Sequence, residues 1–100
     1  MSVNEWSDAT AMVEAVRNKT VSPPELVKDT ISEAERTNTK INAIVSQRYE
    51  KALEEAETRD FSAKPFASVP IFLKDLGQEQ AGEPSTAGSR LFTSYRAKET

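Results

Sequence analysis

The sequence predicts a mostly helical chain of about three helices, with one or two short strands and a turn-rich loop after them. Three observations carry that reading. Apolar residues recur at helical spacing in three separate stretches between Asp8 and Arg59. A Ser-Pro-Pro-Glu run divides the first two stretches. The unbroken run Ile71-Phe72-Leu73 stands between Pro70 and Lys74-Asp75, and its composition is that of a strand buried on both faces.

Each element follows in order. Met1 to Ser7 is a leader whose one large apolar group, Trp6, is expected to pack on the first helix. Ser7 is the candidate N-cap and Asp8 suits the first turn. Ala9, Met12, Val13 and Val16 share one face, which predicts helix one over about 8–18. Ser22-Pro23-Pro24-Glu25 reads as a capping box, with Ser22 at N-cap, Pro23 at N1 and Glu25 at N3. Val21 is placed to staple onto Leu26. Helix two then runs to about Arg36, burying Leu26, Val27, Ile31 and Ala34, and Thr37-Asn38-Thr39 ends it. Residues 41–46 are mostly apolar and predict a short strand or extended segment. Helix three spans about 47–59, with Tyr49, Ala52, Leu53 and Ala56 on its inner stripe. Its charged residues form a solvated face, and Glu55 with Arg59 is an i,i+4 pair in the favoured order. Residues 60–68 form a loop into the central strand. Gly82, Pro84, Ser85, Thr86 and Gly88 make 78–88 a turn region whose hydroxyls and amides could line a pocket or simply face water. A helical turn over 89–95 is expected to be anchored by Leu91, Phe92 and Tyr95.

Composition excludes several chemistries. One hundred residues make one small domain or less. A net charge of −3 argues against nucleic acid, whose binders are basic. There is no cysteine and no histidine, hence no thiol chemistry, no histidine-based triad and no imidazole metal ligand. No run of apolar residues approaches a membrane span, and the start is not a signal peptide. The expectation is a soluble, cytoplasmic chain with no cofactor, no nucleic-acid partner and no membrane partner.

Lys74 stands at the carboxyl end of the predicted strand, where ligands and catalysis sit in α/β sheets. A lysine close to an apolar interior has its charged form disfavoured and can serve as a base near neutral pH. The commoner case for such a residue is a solvated side chain just past a strand, and the residues by themselves leave both readings open.

Val69-Pro70-Ile71-Phe72-Leu73-Lys74-Asp75-Leu76 resembles the Val-Pro-apolar-Lys-Asp strand of the amidase signature family. Gly82-Glu83-Pro84-Ser85-Thr86-Ala87-Gly88-Ser89-Arg90-Leu91 is similar to that family's following Gly-x-x-Thr-x-x-Gly-Ser segment. The upstream helices and the run 41–45 fit its order as well, so the likeness covers nearly the whole chain. Ser68 stands where the family usually has glycine. With Lys74-Asp75-Leu76-Gly77 and Ala87-Gly88-Ser89-Arg90, the chain looks closer to general amidases and 6-aminohexanoate-cyclic-dimer hydrolases than to the tRNA-dependent amidotransferases.

The resemblance implies an α/β amidase-signature fold in a parent protein, of which residues 1–100 are a single N-terminal segment, helical over 1–60 and carrying the lysine over 61–100. It implies hydrolysis of a small-molecule amide by a Ser–cisSer–Lys mechanism that needs no cofactor, with Lys74 as the base. Asp75 is expected to play a hydrogen-bonding, structural part. The family's Gly-Gly-Ser-Ser-Gly-Gly type of segment has no counterpart in residues 75–100, and neither Ser85 nor Ser89 lies in that context. The chain alone is therefore expected to be inactive, and its strand region to associate with a second copy or to be loosely held. The alternative is a free-standing helical interaction module, with Lys74 in solvent and a self-contained core.

Overall fold

The computed structural model describes residues 8–60 and 64–100. The expectations for Trp6 and Ser7, and part of the loop before the central run, fall outside those residues. The described chain holds three α-helices: α1 (Ala9–Arg17), α2 (Pro23–Ile41) and α3 (Tyr49–Thr58). No strand occurs among the described residues. None of their helices is long and apolar enough to cross a membrane. The chain divides into two compact units, one ending at Pro70 and one running from Ile71 to Thr100.

In the first unit, Asp8 is the N-cap of α1, its Oδ1 accepting from the Ala11 N–H at 2.8 Å. The sequence alone suggests Asp8 for the first turn; a carboxylate in extended backbone serves the cap itself. Val13 is buried, and Ala9, Met12 and Val16 on the same face are half-buried. The helix closes by two reversed bonds, Thr20 N–H to Ala15 O at 2.9 Å and Lys19 N–H to Val16 O at 3.1 Å, with Lys19 left-handed at φ 60°.

The start of α2 is as its sequence predicts. The Glu25 N–H donates to Ser22 Oγ at 3.3 Å, and that hydroxyl donates to Glu25 Oε1 at 3.0 Å. Val21 and Leu26 are both buried, as the staple requires. The end differs: α2 runs to Ile41, through Thr37-Asn38-Thr39. Those residues lower helix propensity by less than about 0.7 kcal/mol each, which weakens a helix without breaking it. What stops α2 is Asn42, which turns left-handed at φ 49°. Beyond it, Asn38 Oδ1 accepts from the N–H groups of Ala43 at 2.7 Å and Ile44 at 2.9 Å. Of the strand or extended segment expected over 41–46, the strand is absent for the same reason: Ile41 belongs to the helix, and the Ala43 and Ile44 amides bond to a side chain, leaving 42–46 without regular structure.

Helix α3 is shorter than predicted at both ends. Gln47 lies outside it and accepts the Tyr49 N–H at 2.9 Å through Oε1. Ala56 is buried, and Tyr49, Ala52 and Leu53 are half-buried. The Glu55–Arg59 pair forms at 3.8 Å, and Glu55 also meets Arg48 at 3.0 Å. Helices α2 and α3 pack on each other. Leu26 is the largest fully buried side chain of the described residues, contributing about 1.5–3 kcal/mol by its burial.

The second unit is built without helices or strands beyond a single 3-10 turn at Arg90–Phe92. Its neck is an isolated antiparallel bridge between Pro84 and Arg96, flanked by Gly82 N–H to Ala97 O at 2.8 Å and Ala97 N–H to Glu83 O at 3.1 Å. Ala97 is buried there. The chain between the two sides of the neck is a compact loop whose ends lie together. The expected anchors of this loop are not buried: Leu91 is 84% exposed, and Phe92 and Tyr95 are also exposed.

The central strand is the main correction. Ile71, Phe72 and Leu73 are 76%, 59% and 48% exposed and carry no ladder. A strand exists only where a neighbouring segment takes its backbone hydrogen bonds. None of the described residues offers these three such a neighbour.

Candidate functional site

The two stretches singled out in the sequence, Lys74-Asp75 and Ser85 to Ser89, are brought together within the second unit. The join is Asp75. Its Oδ1 accepts from the Thr86 N–H at 2.7 Å, and its Oδ2 accepts a short hydrogen bond from the Thr86 hydroxyl. An ionised carboxylate only accepts, and Thr86 presents two donors side by side, so the match is complete. These bonds hold the Asp75 carboxyl below its ordinary value. The Thr86 hydroxyl contributes most, then the Thr86 amide, while partial burial works the other way and the Ala87 and Gly88 amides add smaller lowering effects.

Thr86 is itself held by a tight turn. Its carbonyl accepts from the Ser89 N–H at 2.9 Å, and its hydroxyl accepts from the Gly88 N–H at 3.2 Å. Ala87 and Gly88 are both left-handed, at φ 51° and 72°. Two successive positive φ values are the pattern of a type I′ turn, and Gly88 supplies one of them without strain. Ser89 then caps the 3-10 turn, accepting from the Leu91 N–H at 3.2 Å.

Lys74 is exposed. Its backbone N–H donates to Gln78 Oε1 at 3.0 Å. The apolar surroundings expected of it are not found among the described residues. Exposure of Lys74 is what the interaction-module reading expects. The first unit has a core around Leu26, but Ile71, Phe72, Leu73 and Leu76 of the second unit all face water, which a self-contained module would not leave. A depression lined by Asn38, Ile44, Gln47 and Tyr49 lies in the first unit and includes no residue of the Lys74 segment. Elsewhere in the second unit, the Tyr95 hydroxyl donates to Glu79 Oε2 at 3.4 Å, and burial together with the Glu79 charge raises the phenol above its ordinary value.

Asp75 stands in the hydrogen-bonding part expected of it. Its partner Thr86, and Gln78 beside Lys74, are not expected from the sequence. The hydroxyl-rich composition of 85–89 is the available signal, but composition does not tell which hydroxyl meets which acceptor.

Comparison with known proteins places these residues in context. The Amidase family model matches residues 25–100. The chain is 40% identical over 97 residues to 6-aminohexanoate-cyclic-dimer hydrolase of Pseudomonas sp. (strain NK87), covering 95% of this chain and 19% of that protein. It is 41% identical over 86 residues to lipoamidase of Enterococcus faecalis, covering 84% of this chain and 12% of that protein. A glutamyl-tRNA(Gln) amidotransferase component of Nitratidesulfovibrio vulgaris (strain DP4) is 31% identical over 99 residues, covering 95% of this chain and 20% of that protein. The chain thus spans about a fifth or less of the length of these relatives. No solved structure matches it significantly.

Proposed function

The chain belongs to the amidase family, and from that premise we propose that it forms the lysine-bearing part of an enzyme that hydrolyses carbon–nitrogen amide bonds, with Lys74 as the base. The observation that carries this reading is that one family match spans both the Lys74 segment and the loop from Ser85 to Ser89. In the proposed Ser–cisSer–Lys chemistry, a neutral lysine takes a proton from a serine held by a cis peptide bond. That serine in turn deprotonates the nucleophilic serine. The nucleophile attacks the amide carbonyl, the amine leaves with a proton, and water releases the acid from the acyl-enzyme.

Two features of the chain bear on this proposal. Desolvation disfavours the charged form of a lysine. Lys74 is exposed here, so the proposal requires further protein to cover it. The serine pair is also not among residues 75–100. We therefore assign the α/β fold and the activity to a parent enzyme, and assign no turnover to these 100 residues alone. The substrate class is a small-molecule amide. Identities of 40% to a cyclic-dimer hydrolase and 41% to a lipoamidase, against 31% to an amidotransferase component, favour the first two kinds of amidase over the third.

The test has two parts. The coding DNA is read past Thr100; continuation into a Gly-Ser-Ser-Gly type of segment supports the proposal, and a stop codon there ends it. The Lys74→Ala variant of the encoded enzyme is then assayed on a simple aryl amide. Loss of turnover by at least about 100-fold is expected, the usual scale for removing a group that moves a proton in the transition state.

A further inference from the structure

A base must stand within hydrogen-bond reach of the proton it takes. Lysine meets that demand poorly by itself, because its flexible four-carbon stem samples many rotamers. What the local chain can fix is the backbone from which the stem starts. In this protein that backbone is held on both sides. The Lys74 N–H is tied to Gln78 Oε1 at 3.0 Å. The next residue, Asp75, has both carboxylate oxygens on Thr86. Thr86 is tied in turn to Gly88 and Ser89, and the loop they belong to is closed at the Pro84–Arg96 neck. Hydrogen bonds and short stretches of chain (84–86 and 74–75) therefore link the neck to the α-carbon of Lys74.

We infer that Asp75, Thr86 and Gln78 are positioning residues for Lys74, a latch that fixes where the base begins. This inference rests on the proposed role of Lys74 and adds residues to which no role in the reaction has been given. The latch is strongest with an aspartate. The carboxylate accepts a charge-assisted bond from the Thr86 hydroxyl; an asparagine could keep the Thr86 N–H bond and donate to the hydroxyl's second lone pair, but it loses the charge.

The experiment uses the enzyme that the gene encodes, in the variants Asp75→Asn, Thr86→Val and Thr86→Ser, with Lys74→Ala beside them. Misplacing a reacting group by about 1 Å costs on the order of 100-fold. We expect Asp75→Asn and Thr86→Val to lower kcat by about 10- to 100-fold with KM little changed, and to shift the limb of the pH profile that reports the base. Thr86→Ser keeps both donors and is expected to restore most of the rate. If Lys74→Ala abolishes turnover while Asp75→Asn and Thr86→Val leave kcat and the pH profile unchanged, the latch is overturned and the role of Lys74 stands. If Lys74→Ala is fully active, the proposed function fails and the latch with it. Should a variant enzyme fail to fold, the 100-residue chain decides by NMR. Protonation of Asp75 in acid must then move the amide signals of both Thr86 and Lys74 with one midpoint. A Lys74 amide that does not follow Asp75 overturns the coupling.

Discussion

At the scale of single residues, Asp75 links structure to pH. Its carboxyl is held below the ordinary 3.8, chiefly by the Thr86 hydroxyl and then by the Thr86 amide. A depressed acid is one that folding keeps ionised, so what the latch contributes is fully present above 3.8 and is lost as pH falls through the lower, folded value. A carboxyl carbon titration by NMR should place the Asp75 midpoint below 3.8, and Thr86→Val should move it upward. A midpoint at or above 3.8 in the wild-type chain would remove the latch. Ser68 offers a second residue-scale outcome. It stands where the resemblance expects glycine, and its backbone is left-handed at φ 70° in a buried position. A non-glycine residue in that region costs about 1–2 kcal/mol, and glycine returns part of that through the entropy of the unfolded chain. Ser68→Gly should therefore raise stability by about 0.5–1 kcal/mol in a urea melt. The motif gave the identity expected at position 68, and the φ angle gives the reason for it.

At the scale of elements, what was legible in the sequence was whatever had a period or a cap. The face of α1 and the Ser22-to-Leu26 start of α2 follow from spacing and from side chains that bond to the next turn, both local rules. Ser22→Ala should cost about 1 kcal/mol by loss of that cap. Leu26→Ala should cost about 2–5 kcal/mol, since Leu26 is fully buried and a core this small relaxes little around a cavity. Circular dichroism melts of the two variants give the ranking, and equal effects would count against a core centred on Leu26. The end of α2 was not legible, because Thr37, Asn38 and Thr39 are individually poor helix residues. Their fate depended on Asn38 finding the amides of Ala43 and Ile44 beyond the helix end. Asn38→Ala should unravel the last turn and lower helix content, with a loss on the order of 1 kcal/mol typical of a hydrogen bond removed at an exposed helix end. The latch was illegible for a related reason. Asp75 and Thr86 are eleven residues apart in a stretch without periodicity, and only the turn at Ala87 and Gly88 aims one at the other.

At the scale of the whole molecule, the apolar residues that have no cover set the last expectation. Ile71, Phe72, Leu73 and Leu76 lie in one short stretch of the second unit, and all are exposed. The run has the β-branched and aromatic content of a strand and no ladder among the described residues, which is the kind of segment that recruits another chain. In a solution of this chain alone the available partner is a second copy. A net charge of −3 spread over 100 residues offers little repulsion to stop it, and salt at physiological strength screens most of what there is. Association should therefore be concentration-dependent and should strengthen with added sulfate, because excluded salts favour apolar burial. Light scattering across a range of concentrations is the direct measurement. Phe72→Lys and Ile71→Asp should return the chain to a monomer without lowering its helix content, since the helices belong to the first unit and those two residues to the second. A chain that stays strictly monomeric while its amides over 69–74 exchange slowly would mean that the run is already satisfied within its own molecule. The missing sheet neighbour invoked above would then be unnecessary.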